Sequence, residues 1–227
     1  YSAGSSEEMG DVDYSPQDKA HPPKPRSPYG VSKVASRFLT KVYRESYDIF
    51  AVHGILFNHE GVRRGEEFVT RKITKGVAAI KSAINQGKGF SPLLLGNVDS
   101  KRDWSDSEDF MEGIWLMINQ DTPEEYILSS NETHSIREFV DLAFKCVGIN
   151  GKWLGEGMDE TFVYQEIDMG GAEIKTLAAI SEEFYRPCEV NILHGDSNPI
   201  REKLGWKPKY SFQDLVSRMV ENDINSL

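Results

Sequence analysis

SPYGVSKVASRFLTKVYRES, residues 27–46, runs almost directly into IFAVHGILF, residues 49–57. Ser27 followed by Pro28 is a helix start, with serine as N-cap and proline at the first helical position. Val31, Val34, Phe38 and Val42 recur every three or four residues, which predicts a helix to about Ser46. The nearly unbroken apolar run that follows predicts a strand buried on both faces. A helix feeding such a strand is one repeat of an α/β sheet, and in open α/β sheets ligands bind at the carboxyl ends of strands.

Working outward, residues 10–27 are polar and proline-rich and read as a loop. Tyr1-Ser2-Ala3 is too short to be read as a strand, yet it leads into the Ser5-Ser6-Glu7 loop where a site would sit. Downstream, helices are expected over Phe68–Gln86 and from a Ser105/Glu108 capping box to about Asn119. Tyr126–Ser129 reads as a short strand, and a Ser135/Glu138 capping box opens a helix ending at Gly148. Residues 151–179 are glycine-punctuated and yield no clear element. Short helices are expected over Pro199–Leu204 and Phe212–Asn222.

Composition narrows the function classes. The chain has 227 residues, 39% hydrophobic, enough for one or two cored units. No apolar run approaches the ~20 residues needed to span a bilayer, so no membrane segment is expected. Only two cysteines, Cys146 and Cys188, occur, far apart and without a CxxC, as in a reduced, cytoplasmic protein. A net charge of -10 argues against nucleic acid. Arg63, Arg64, Arg71, Lys72 and Lys75 nevertheless crowd together, and form either a solvated face or a pocket for a small anion.

Tyr29 and Lys33 are four apart and share a helix face, roughly opposite the stripe of Val34 and Phe38. An adjacent ammonium favours the phenolate, which suits an acid/base pair, although Tyr-x-x-x-Lys alone is common by chance. A hydroxyl and a carboxylate upstream, at Ser5 and Glu7, make a rarer combination. The histidines are scattered and no metal site is expected.

Longer motifs carry a resemblance. YSAGSSE (residues 1–7), PRSPYGVSK (25–33), GILFNHE (54–60), FVTRKI (68–73), KRDW (101–104), HSIREF (134–139), YRP (185–187) and KLGWKP (203–208) follow one another as in the GDP-mannose 4,6-dehydratase family. That family belongs to the extended short-chain dehydrogenases. The resemblance implies NADP as cofactor and GDP-mannose as substrate. It implies catalytic roles for Ser5, Glu7, Tyr29 and Lys33, with Tyr29 and Lys33 also at the cofactor. It places His59 and Arg64 at NADP, and Asn58, Lys72, Arg102, Arg186 and Glu189 at the sugar nucleotide. It also implies a homo-oligomer, a dimer or tetramer.

The sequence departs from the family in places. Serine stands for threonine at Ser5, and Glu8 and Met9 replace leucine and tyrosine, so that Glu8 is expected to add a like charge beside Glu7. No G-x-x-G-x-x-G turn, the usual cradle of a dinucleotide pyrophosphate, occurs. The reading is therefore the C-terminal portion of an incomplete Rossmann-like doubly wound sheet, with weak NADP binding expected. Residues 1–60 would finish the dinucleotide-binding domain and 61–227 would form a smaller mixed α/β substrate-binding domain, with 125–148 returning to the main sheet. A non-catalytic nucleotide-sugar-binding remnant and a related epimerase or dehydratase are the alternatives.

Overall fold

A computed structural model of the chain describes residues 1–168, 171–185 and 192–227. They form two compact units, one from residues 1–60, 101–134 and 192–212, the other from 61–100, 135–168, 171–185 and 213–227.

The first unit is built on a parallel three-stranded sheet in the order Ser2–Ala3, His53–Leu56, Glu125–Leu128. Ser2 and Ala3 pair with His53 and Gly54, so a stretch too short to be read as a strand supplies a two-residue one. Its ladder partner lies about fifty residues away and leaves no local trace. The helix Pro28–Tyr47 makes the crossover between these strands, capped by the Ser27 side chain accepting from Gly30 N–H. The strand that follows is shorter than its apolar run: Val52 to Phe57 are buried, but Ile49 and Phe50 are exposed.

Alternation along the sheet sorts the core into two faces. Leu56, Tyr126 and Leu128 pack with Val52, Phe110, Met117, Ile200 and Trp206, while Ile55 and Ile127 pack with Met9, Phe57 and Leu193. The helix Ser107–Ile118 covers the first face, and its Phe110 and Met117 are fully buried. The expected cap at Ser105 is one residue off. Ser105 is held in the strand Trp104–Asp106, paired with His59, and Asp106 becomes the N-cap by accepting Glu108 N–H at 2.9 Å.

The Pro28–Tyr47 helix forms where expected, with little of it buried. Gly30 is its only buried residue, and Val31, Phe38 and Val42, whose spacing predicts the helix, are each more than half exposed. Periodicity identifies an apolar face without saying what covers it.

The second unit resolves the stretch that the sequence left open. Its four-stranded sheet runs Leu93–Leu95, Gly171–Ile180, Thr161–Asp168, Lys152–Leu154, antiparallel except for the first pair. The helices Val69–Asn85 and Ile136–Cys146 belong to it, as does most of Phe212–Asn225. Phe144 and Trp153 lie against the buried Phe162, at 5.5 and 5.1 Å between ring centroids. Arg71 and Thr74 both hold the buried Asp223, at 2.8 and 2.7 Å.

Glu125–Leu128 lies in the parallel sheet, but the division of the chain is more interleaved than a break at residue 60 with residues 125–148 returning. Residues 101–124 and 192–212 also fall in the first unit, and the Ile136–Cys146 helix falls in the second. Strand pairing between distant segments decides this, and no local composition shift marks it. Among the described residues no helix is long and apolar enough to cross a membrane, and no cluster of ligands for a metal ion is found.

Candidate active site

The residues Gly4 to Met9 leave the end of the Ser2–Ala3 strand and turn back as a short 3-10 turn, Ser6–Glu8. Ser5 is its N-cap: the hydroxyl accepts Glu7 N–H at 3.2 Å, and the Ser5 N–H donates to Glu8 Oε1 at 2.9 Å. This reciprocal box uses the residue types that favour helix starts, and it fixes the backbone on both sides of Glu7. Among the described residues, no hydrogen bond or ion pair holds the Glu7 carboxylate, which is half-buried.

The first turn of the Pro28–Tyr47 helix abuts this segment. A Cβ on Gly30 would lie 2.6 Å from the Glu7 carbonyl oxygen, a distance real side chains do not reach. Glycine at position 30 therefore lets the residue next to Tyr29 pack on the backbone of Glu7. Lys33 crosses back from the same helix, donating from Nζ to the Ala3 carbonyl at 2.8 Å and standing 5.4 Å from the Tyr29 ring centroid. An ammonium has three donors, and this bond uses one, so Lys33 keeps donors for a ligand's hydroxyls. Tyr29 is 54% exposed. Ser5, Glu7, Tyr29 and Lys33 are thus gathered at one strand end.

Asn58 and His59 open the short strand Asn58–Glu60 in the same unit. Asn58 Oδ1 is buried with no hydrogen-bond partner among the described residues. An orphaned carbonyl of this kind is unfavourable by about 1–3 kcal/mol unless a ligand or water donates to it. His59 Nδ1–H donates to the Phe57 carbonyl at 2.9 Å and the ring packs on Phe110 at 5.1 Å. Arg102 donates to the Lys101 carbonyl at 2.9 Å.

Arg64 and Lys72 belong to the second unit. The Arg64 guanidinium stacks 3.5 Å over Phe68, and Lys72 Nζ lies 3.2 Å from the Phe184 ring centroid. Burial pushes the Lys72 ammonium below its ordinary pKa, and Glu183 opposes that shift. Of the basic cluster read from the sequence, Lys75 pairs with Glu66 and Arg71 with Asp223, so these two serve the fold. Arg186 and Glu189 lie outside the described residues.

Glu8 corrects an expectation. Its carboxyl does not stand beside that of Glu7 but turns inward, fully buried, to His53. Its partner His53 was not singled out from the sequence, and the Gly4 and Gly30 contacts were missed too. Glycines at these two positions were the available signal.

The family model for GDP-mannose 4,6 dehydratase matches residues 1–219. The chain is 42% identical over 224 residues to the GDP-mannose 4,6 dehydratase of Drosophila melanogaster, covering 99% of this chain and 54% of the fly protein. It is 43% identical to that of Dictyostelium discoideum, with coverage of 99% and 60%. It therefore spans little more than half the length of these relatives. Among solved structures, RMD from Pseudomonas aeruginosa complexed with NADPH superposes with a TM-score of 0.79 at 20% identity, covering 99% of this chain and 66% of that one. UDP-glucose 4-epimerase from Thermus thermophilus in complex with NAD gives 0.74 at 18% identity, with coverage of 100% and 64%. At such identities these likenesses establish the fold, a partial Rossmann-like α/β arrangement, and the sequence matches establish the rest: the chain belongs to the GDP-mannose 4,6 dehydratase family.

Proposed function

We propose that the chain carries the acid–base machinery of a GDP-mannose 4,6-dehydratase, which converts GDP-mannose to GDP-4-keto-6-deoxy-mannose. The observation that carries this reading is the packing of Gly30 on the Glu7 carbonyl, which sets a phenol–ammonium pair beside a turn bearing a hydroxyl and a carboxylate. Tyr29, with the Lys33 ammonium 5.4 Å from its ring centroid, takes the proton from the hydroxyl on carbon 4 of the mannose. The ketone formed there acidifies the C–H at carbon 5, and Glu7 removes that proton. Glu7 then returns a proton to the leaving hydroxyl on carbon 6, assisted by Ser5, and water departs. The chemistry that NADP supplies when bound is a hydride acceptor at carbon 4 and a hydride donor at carbon 6, without net consumption.

The residues present fit the nicotinamide–ribose end of that cofactor, because Lys33 retains donors beside an exposed phenol. His59 and Arg64 are assigned to NADP by the family resemblance. On the same basis Asn58, Lys72, Arg102, Arg186 and Glu189 are assigned to the sugar nucleotide, and the orphaned Asn58 Oδ1 supports a ligand donor there. We read the protein as cytoplasmic and homo-oligomeric, the latter supported by the exposed apolar face of the Pro28–Tyr47 helix.

The test is incubation with GDP-mannose and NADP+, followed by mass spectrometry for a sugar nucleotide lighter by one water. Tyr29→Phe is expected to lower turnover by about 10²–10⁴-fold, the usual worth of a positioned acid/base. Failure of the wild-type chain to form product sinks the reading. A second reading, a non-catalytic sugar-nucleotide-binding module, rests on Asn58 Oδ1, which among the described residues is buried without a hydrogen-bond partner. Calorimetric binding of GDP-mannose without NADP binding or turnover would select it.

A further inference from the structure

Directly behind the Ser5–Glu7 turn lies a buried carboxyl–imidazole pair that the reaction just described does not use. The side chains of Glu8 and His53 have no solvent exposure, and Glu8 Oε1 is 3.0 Å from His53 Nε2. That same oxygen accepts the Ser5 N–H at 2.9 Å. On the other side of the ring, Nδ1 lies 3.0 Å from Ser2 Oγ, which lies 3.0 Å from Ser36 Oγ. The result is one hydrogen-bonded chain, Ser36–Ser2–His53–Glu8–Ser5, crossing two strands. Its ends are informative. Ser36 sits one turn beyond Lys33 on the helix that carries Tyr29, and Ser5 is the N-cap of the turn that carries Glu7.

Gly4 makes room for the pair: a Cβ there would fall 2.3 Å from His53 Nε2 and 2.5 Å from Glu8 Oε1. Such a pair is a poor way to gain stability. Two polar groups lose their hydration, Glu8 Oε2 is left with no hydrogen bond among the described residues, and well-packed apolar replacements of buried ion pairs are often neutral or stabilising. What directional bonds provide and apolar packing does not is a fixed distance and angle between the elements they join.

We propose that Glu8 and His53 are a positioning pair, whose hydrogen-bonded chain from Ser36 to Ser5 holds the Glu7 turn in register with the Tyr29–Lys33 helix. Neither residue touches substrate. With the carboxylate ionised, Nε2–H donates to Oε1, and the second donor on that oxygen, Ser5 N–H, is drawn toward the buried strand. This orients the Ser5 hydroxyl and the start of the Glu7 segment. The inference rests on the dehydratase reading for its catalytic consequence, but not for its structural one.

Two variants test it. Glu8→Met with His53→Leu replaces the pair by apolar side chains of similar volume; Glu8→Gln keeps an acceptor oxygen for both donors. The double variant is expected to melt cooperatively near the wild-type temperature while kcat falls about 10–100-fold and KM stays within about twofold, as for a misplaced but intact site. Glu8→Gln, the conservative rescue, is expected to lose only about threefold in kcat. Wild-type kcat in the double variant overturns the proposal, and so does a loss of kcat that accompanies loss of cooperative melting. If the wild-type chain turns nothing over, the dehydratase reading falls and amide hydrogen exchange decides this one. Faster exchange of the Ser5 and Glu7 amides in the double variant, with protection kept in Glu8→Gln, supports the pair; unchanged exchange in both overturns it.

Discussion

Asp103 is fully buried beside Arg102, and donors surround it. Its Oδ1 accepts Ser130 N–H at 2.6 Å and Ser130 Oγ–H at 2.7 Å, and its Oδ2 accepts Asn131 N–H at 3.1 Å. Burial outweighs these bonds and the nearby His194, and pushes the carboxyl from its ordinary 3.8 up to about 6. The sign follows from linkage. Between those values the folded chain holds a proton that the unfolded chain has released. The contribution of Asp103 to stability is therefore full below about pH 4 and is lost as pH rises through about 6, at a slope of at most about 1.4 kcal/mol per pH unit. Asp103→Asn is expected to remove this component. In thermal melts at intervals from about pH 4 to pH 7, the stability of wild type relative to the variant should fall as pH rises across that window. Parallel curves would show that Asp103 does not titrate there.

The Ile136–Cys146 helix shows what a local signal can specify. Ser135 Oγ accepts Glu138 N–H at 3.1 Å, and Glu138 Oε2 accepts Ser135 N–H at 2.6 Å, as the S-x-x-E pattern predicts. Ser135→Ala is expected to destabilise the chain by about 1 kcal/mol, measured by urea unfolding, and no shift in midpoint would refute the cap's role. The helix bounds, the Ser27 and Ser135 caps and the gathering of Tyr29 with Lys33 are legible because each depends on residues within one or two turns. The Ser105/Glu108 pattern is equally good locally and fails, since the strand pairing of Ser105 with His59 removes it from the helix. Likewise the inward turn of Glu8 depends on His53, 45 positions away. The two-residue strand at Ser2 and the antiparallel strands of residues 152–180 depend on partners that sequence patterning alone does not identify. The site was readable where one helix and one turn supply it, and unreadable where distant segments meet.

Across the whole molecule, apolar surface is distributed unequally. The two faces of the parallel sheet bury large side chains completely, whereas Leu39 and Tyr43 on the Pro28–Tyr47 helix are 58% and 50% exposed. Together with Tyr1, Ala35 and Ala51 they line a cavity of about 450 Å³ that includes none of the expected site residues. Exposed apolar area that is contiguous in this way favours association with other apolar surfaces. A net charge of -10 opposes nonspecific self-association, but it does not remove the local patch. The chain is therefore expected to bind an apolar reporter dye such as anilinonaphthalene sulfonate while fully folded. Leu39→Glu with Tyr43→Glu places two charges one turn apart on that face. Because both side chains are already half exposed, the double variant should keep its stability to within about 0.5 kcal/mol per site. Its dye fluorescence should fall several-fold, and any assembly seen by sedimentation should shift toward the monomer. Undiminished dye binding in the folded double variant would mean that the apolar surface lies elsewhere, and that the cavity beneath Leu39 is not accessible in solution.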